Sequence, residues 1–530
     1  MENKNVEKET EKKPPLLSSY IFSINNILSI IKKYLIFEEQ KSFFSCNKNL
    51  NQYFRNSIEE LSSKKIINCP NIVKRYPNIN TIKFYFGWKA DLEFLNNSKN
   101  VEYIEIDGAN YKNIETIGEI KSLNSLILIG NQLINIYFIS KLENLTLLDI
   151  GNNIINDLSP LSLLKNLKSL SLQGCRLQNL DILNNKNFIK LEKLYIGQNY
   201  VADYSFLKNL QKLQVLNIYN TRNLTKIDFL KYLNPVEIME LNLGENKISD
   251  FTPLNDFKSI SKLMLYHCQI DDINFLNNSS FENVEEIILG NNQIQDFSPL
   301  DNLIKLKKLN LYGCNIDDIE FLNKKQFNQI ENLELANNKI NDCSILYLFS
   351  KLKYLSLCNN LLFNIDWIVG CTGVEELNLG RNLISDFSNL KNLKKLKKLN
   401  LSQCCTNDSE LNISFLVDDN FKNLIELNIS NNYIKDASVL QNLKKLEKLN
   451  ISHNNISTLQ FLLNENSCLI ELNFFDNNVN DFSILVSLIK LEVVYYGKQN
   501  VIFDEKKISL NNDIIKGIEK NLRKCKEKRL

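Results

Sequence analysis

From Ile82 to Val494 the chain repeats one pattern of apolar and polar positions, L-x-L-x-x-[NC]-x-[IL], as in Leu309-Asn310-Leu311-Tyr312-Gly313-Cys314-Asn315-Ile316. The first apolar position returns at Ile82, Ile104, Leu126, Leu148, Leu170, Leu194, Leu216, Leu241, Leu263 and Ile287. It continues at Leu309, Leu333, Leu355, Leu377, Leu399, Leu427, Leu449, Leu472 and, in degraded form, Val494. Most steps are 22 residues, several are 24 or 25, and one is 28. A fixed period of this length marks an array of coils, each burying its apolar side against the next.

Each coil has a physical reading. The L-x-L unit alternates as a short strand with one buried face does. The Asn five residues after the first Leu (Asn131, Asn153, Asn199, Asn246, Asn292, Asn338, Asn382, Asn432) is expected inside the turn. There its amide can satisfy backbone groups of adjacent coils that burial would leave unpaired. Cys175, Cys268, Cys314, Cys404 and Thr221 take the same place, and all are small hydrogen-bond donors. A second period of about 46 residues appears as Asp-x-Ser/Thr at Asp157, Asp203, Asp250, Asp296, Asp342, Asp386, Asp436 and Asp481. Three copies run into proline, at Ser159-Pro160, Thr252-Pro253 and Ser298-Pro299. Ser or Thr before Pro predicts a helix N-cap with Pro at the first helical position. Alternate coils are therefore expected to start a short helix, with Leu300, Leu303 and Leu306 as the buried side of one. The aspartates recur two coils apart, which disfavours a calcium ladder.

Stretches such as Asn246-Lys247-Ile248-Ser249-Asp250-Phe251-Thr252-Pro253-Leu254 and Asn292-Gln293-Ile294-Gln295-Asp296-Phe297-Ser298-Pro299-Leu300 resemble leucine-rich repeats of the 22-residue class. The likeness is to the internalin and phosphatase-1 regulatory-subunit kind, and it covers residues 78 to 500, roughly 80% of the chain. It implies an α/β leucine-rich-repeat solenoid. A curved parallel β-sheet would line the concave face, short helices or turns the convex face, and helical caps the two ends. It also implies a non-catalytic protein-interaction scaffold that needs no cofactor. The expected organisation is a disordered charged tail over 1–15, a helical N-terminal cap over 16–75, about 19 coils over 76–500, and a C-terminal helical cap with basic tail over 501–530.

The ends carry their own patterns. Ile514, Ile518, Leu522 and Cys525 fall on one helical face, ahead of a basic tail from Arg523 to Arg529. Residues 16 to 60 read as amphipathic helices, and their order of Ile27, Leu28, Ile31 and Leu35, then Cys46 and Lys48, then Tyr53-Phe54, resembles a degenerate F-box. The Leu-Pro-x-Glu opening of that motif is missing, since Leu17 is followed by Ser18 and Ser19. The F-box resemblance implies a substrate adaptor docking on a Skp1-like protein of a ubiquitin ligase. A plain helical cap fits the same residues. The repeat resemblance offers a further alternative, a regulatory subunit of a protein phosphatase.

Composition narrows the partners. Sixty-three basic against 61 acidic residues give a net charge of +2, so the basic excess of a nucleic-acid binder is absent. The apolar stretch from Ile21 to Phe37 is broken by Asn25, Asn26, Lys32 and Lys33, so neither a membrane span nor a secretory signal is expected there. The 12 cysteines are scattered apart from Cys404-Cys405 and form no C-x-x-C pair, so no zinc site is indicated. Reduced thiols suit a cytoplasmic protein, a nuclear one remaining open, and not a secreted one. Catalysis is not expected. The two histidines, His267 and His453, lie eight coils apart, each one residue before its ladder position, and neither a phosphate loop nor H-E-x-x-H occurs. Asp271-Asp272 and Asp317-Asp318 recur at matching places and read as turn formers.

The outward positions of the strands carry the binding candidates. Glu240, Lys262, Glu286, Lys308, Asn332, Tyr354, Glu376, Lys398, Glu426, Lys448 and Glu471 precede the first Leu and mostly alternate in sign. This column reads as self-complementary structure. A second column, Tyr219, Gly244, Tyr266, Gly290, Tyr312 and Ala336, sets tyrosines about 9.6 Å apart, two strand spacings, with small residues expected to leave slots between them. With Tyr195 and Tyr354 flanking, these aromatics are the candidate partner-binding residues. The longest step, Leu399 to Leu427, adds a loop bearing Asp408, Glu410, Asp418 and Asp419.

Overall fold

A computed structural model describes residues 60–63, 78–84 and, with short gaps, 91–502. The chain divides into two compact units, residues 1–191 and 192–530. In the first unit six strands lie parallel: β1 (Glu60–Ser63), β2 (Thr81–Phe84), β3 (Tyr103–Ile106), β4 (Ser125–Ile127), β5 (Leu147–Asp149) and β6 (Ser169–Ser171). Their register sets Ile82, Ile104, Leu126, Leu148 and Leu170 side by side, all buried. The sheet begins at Glu60, within the segment expected to be a helical cap, because residues 60–63 pair with 81–84 one coil earlier than the leucine pattern reveals.

The second unit repeats the arrangement from β7 (Lys193–Tyr195) to β20 (Val493–Tyr496), one strand per coil. The parallel register holds throughout, and the degraded position Val494 pairs with Leu472 as an intact coil would. Here too the first-Leu positions are buried. A last described strand, β21 (Gln499–Ile502), turns back antiparallel on β20. The F-box-like residues Ile27, Leu28, Ile31, Leu35, Cys46 and Lys48, and the C-terminal helix from Ile514, lie outside the described residues.

The expected short helices are single 3₁₀ turns, and they occur in successive coils instead of alternate ones. No α-helix occurs among the described residues. A coil of 22 residues has room for only one such turn between strands. The cap also differs from expectation. Phe297 holds the N-cap position, Ser298 is the first residue of the turn and Pro299 the second, and Asp296 Oδ1, one place before the cap, accepts the Ser298 N–H at 2.8 Å. Asp157, Asp250 and Asp342 act in the same way. In the intervening coils Asp272 and Asp318 accept from Asn274 and Glu320, which gives the paired acids their turn role.

The 46-residue period has a packing cause in part of the chain. Four of the coils that lie between the aspartate-bearing ones carry a second 3₁₀ turn whose Phe plugs the interior: Phe188 in the first unit, and Phe281, Phe327 and Phe421 in the second, all fully buried. These are the coils with steps of 24 and 28 residues. The coils that start at Leu216 and Leu355 carry a single turn. Successive coils are then tied by ring pairs, Phe251 on Phe275 at 4.8 Å and Phe297 on Phe321 at 4.7 Å.

The residue four places after the first Leu is left-handed along both units, as at Gly130, Asn152, Glu245, His267, Gly313, Arg381 and His453. Both histidines thus serve a turn that Asn and Gly fill elsewhere. At Gly313, φ is +64° and a Cβ would stand 2.4 Å from Asn291 Oδ1. Gly313→Ala is expected to cost about 1–2 kcal/mol, read as a lower denaturation midpoint.

Candidate protein-binding face

The interior of each coil is occupied by backbone satisfaction. Asn292 is representative. Its Nδ2 donates to the carbonyls of Leu265 at 2.8 Å and Leu289 at 2.7 Å. Its Oδ1 accepts the N–H groups of Cys268 at 2.9 Å and Ile270 at 3.0 Å. One side chain therefore bridges two coils through four hydrogen bonds. Asn360, Asn454 and Asn477 do similar work and share the five-residue offset, though the sequence reading did not single them out. The ladder cysteines replace only the donor half: Cys268 Sγ donates to the Leu243 carbonyl at 3.4 Å and Cys404 Sγ to Leu379 at 3.3 Å. Burial pushes the Cys268 thiol up to about 11 and the Cys404 thiol up to about 12, which keeps both protonated and unreactive.

The column before the first Leu is a chain of ion pairs in the second unit. Lys262 Nζ lies 3.1 Å from Glu286 and 3.9 Å from Glu240; Lys308 lies 3.1 Å from Glu286, and Lys398 2.8 Å from Glu376. Burial works to raise the Glu286 carboxyl, but hydrogen bonds from Lys308 and Lys262 outweigh it and hold it below its ordinary value. One residue earlier runs a second such column: Glu285–Lys307 at 2.9 Å, Glu331–Lys353 at 2.6 Å and Glu375–Lys397 at 2.6 Å. Its alternation is visible in the sequence at matching offsets. Solvent-exposed pairs of this kind contribute at most about 1 kcal/mol each, so they set register and repel like-charged neighbours more than they stabilise. In the long step, Glu410 accepts the Lys435 N–H and Asp418 the Asn420 N–H, while Asp408 lies outside the described residues.

The tyrosines divide into columns. Tyr219, Tyr266 and Tyr312 share the third place after the first Leu, whereas Tyr195 lies one place after Leu194 and Tyr354 one place before Leu355. The Tyr354 hydroxyl donates to Glu334 Oε2 at 2.7 Å. The slot expected at Gly244 is filled. The Tyr219 ring lies against Gly197, where a Cβ would stand 2.5 Å from its Cδ1, and the Tyr266 ring lies against Gly244, where a Cβ would stand 2.4 Å from its Cε1. Each glycine is a cradle for the ring of the following coil. Both rings remain half-buried. Burial raises the Tyr266 phenol above its ordinary value, Asn242 opposing and Glu245 adding. Tyr312, 37% exposed, leans the other way, its hydroxyl meeting Asn337 Nδ2 of the next coil.

The histidines gather no catalytic set. His453 Nδ1 lies 2.9 Å from Asp476 Oδ2 and its ring 5.2 Å from that of Phe475, on the exposed turn. Among the described residues no group of three His, Cys, Asp or Glu could hold a metal ion, and no helix is long and apolar enough to cross a membrane.

The family model for leucine-rich repeats in two copies matches residues 282–324 and 422–464. No curated protein matches the chain. Solved structures similar to it include an internalin, InlF, of Listeria monocytogenes, at 24% identity over 74% of this chain and 86% of that one, TM-score 0.33. Another is a leucine-rich-repeat protein of Leptospira interrogans, at 17% identity over 84% and 98%, TM-score 0.42. A third is the plant peptide hormone receptor RGFR1 in complex with RGF2, at 18% identity over 83% and 76%, TM-score 0.42. With nineteen recurrences of its motif, in-register strands and a matching family model, the chain is a leucine-rich-repeat protein.

Proposed function

We propose that the chain is a non-catalytic scaffold that binds a partner protein on the outward side of the sheet in the unit 192–530, centred on Tyr219, Tyr266 and Tyr312. The observation that supports this most is the two tyrosine rings, each held against a glycine of the preceding coil. An aromatic ring already fixed in place loses little entropy on binding, and tyrosine is favoured at the energetic centre of interfaces. The surrounding charge columns are already matched internally, so they lend specificity more than affinity. Tyr195 and Tyr354 lie on adjoining columns and widen the contact.

Affinity capture with the intact chain and with Tyr219, Tyr266 and Tyr312 all replaced by Ala tests the reading. The partner is expected to bind the substituted chain about 30-fold or more weakly, with an unchanged thermal melt. Equal capture by both chains would end this reading. A chain lacking residues 16–60 separates the finer roles. Loss of a Skp1-like protein on that deletion supports the adaptor role, and retention of a phosphatase catalytic subunit supports the regulatory-subunit role.

A further inference from the structure

We infer that the segment docking on Tyr219 and Tyr266 is a proline-rich stretch in the polyproline-II conformation, with prolines three residues apart followed by a basic residue. The inference rests on the binding-face reading above and adds the chemistry of its partner.

Spacing is the first argument. The two rings lie against Gly197 and Gly244, equivalent positions two coils apart, so their separation along the sheet is about 9.6 Å. A polyproline-II helix has three residues per turn and rises about 3.1 Å per residue, so one face repeats every 9.3 Å or so. Prolines at i and i+3 therefore meet both rings together. A β-strand repeats on one face at roughly 6.7 Å and an α-helix turns every 5.4 Å or so, and neither matches.

Hydrogen bonding is the second argument. Between the two cradles lies the coil of Asn217, whose Oδ1 accepts the Tyr219 N–H at 3.2 Å. Its Nδ2 has no partner among the described residues and is left to donate outward. A polyproline-II main chain makes no internal hydrogen bonds, so its carbonyls are available as acceptors.

Charge is the third. Glu245 is exposed, adjoins the Gly244 cradle, and among the described residues its carboxylate accepts only from the neutral Asn220 amide, at 2.7 Å. Glu240, Lys262, Glu286 and Lys308, by contrast, are bridged to one another. An unmatched carboxylate beside the second ring fits an Arg or Lys that follows the second proline. Tyr312 leans away from the other two and stands outside this subsite.

The test is fluorescence anisotropy of the labelled peptide Pro-Pro-Ala-Pro-Pro-Arg against the full chain, with an all-alanine version retaining the Arg as control. Saturable binding of the proline peptide is expected, with the control at least about tenfold weaker. Tyr219→Ala, Tyr266→Ala and Gly244→Ala, which displaces the Tyr266 ring, should each weaken binding about tenfold, and Glu245→Gln about fivefold. Tyr219→Phe and Tyr312→Ala should stay within about twofold, since the first keeps the ring and the second lies outside. Equal binding of both peptides, no binding of either, or indifference to Tyr219 and Tyr266 would overturn the inference. A captured partner that needs the tyrosines yet is not displaced by the proline peptide sinks this inference alone. Capture that ignores the tyrosines sinks the binding-face reading with it.

Discussion

Replacing Asn292 by Leu is expected to destabilise the unit 192–530 by roughly 4 kcal/mol or more, the largest effect of any single ladder substitution considered. The side chain satisfies the N–H groups of Cys268 and Ile270 and the carbonyls of Leu265 and Leu289, all within the stacked interior. A buried backbone group left unpaired costs about 1–3 kcal/mol; the Leu289 carbonyl keeps the Cys314 thiol, and the other three are stranded at once. The added burial of a Leu side chain offsets only about 2 kcal/mol of that total. Asn292→Cys gives an internal standard. A thiol keeps a donor in place, as Cys268 and Cys314 do in neighbouring coils, but it cannot serve the two N–H groups. The cysteine variant should therefore fall about midway. Urea unfolding followed by far-UV circular dichroism checks the order, with hydrogen exchange to detect local opening, because repeat arrays can unfold in parts. A leucine variant within about 1 kcal/mol of the parent would show that the ladder is dispensable.

Phe281→Ala is the second large effect, expected to cost about 3–5 kcal/mol. Phe281 sits on the extra 3₁₀ turn of its coil, fully buried, edge-on to Phe275 at 5.7 Å, and Phe275 in turn stacks on Phe251. Removing the ring leaves a void that the strand spacing cannot close, since the hydrogen-bonded register on either side holds the coils apart. Phe281→Leu should cost less, and Phe363→Ala, at a side chain 59% exposed, under about 0.5 kcal/mol. Calorimetric melting of the three variants side by side gives the comparison. Equal losses for Phe281→Ala and Phe363→Ala would mean that the extra turn does not plug the interior.

The fold could be read from the sequence because its cause is local and repeated. Each L-x-L alternation states which side is buried, and each Asn, Cys or Thr five places on states how the turn is satisfied. The aspartates near every 46 residues correctly announced two kinds of coil, yet the packing behind them depends on Phe188, Phe281, Phe327 and Phe421. Those residues fall inside segments that look like variable spacers. The cap position fell one residue before the Ser or Thr expected there, because Asp and Ser both offer side-chain acceptors at a turn start, and only the chain path decides which one accepts. The five tyrosines were legible as outward-facing aromatics. Which way each ring leans was not, since that depends on whether the preceding coil offers a Gly, as Gly197 and Gly244 do, or a partner lies ahead, as Asn337 does for Tyr312. The sheet start at Glu60 carries no leucine motif to announce it.

Hydrogen–deuterium exchange of the chain alone and with its captured partner addresses the docking face most directly. Slowed exchange is expected in peptides spanning residues 215–220, 240–245 and 262–267, where the tyrosines, their cradle and Glu245 meet at the sheet surface. Protection restricted to the 3₁₀ turns on the other side of the coils, with these strands unchanged, would contradict the assignment of the sheet face as the binding surface.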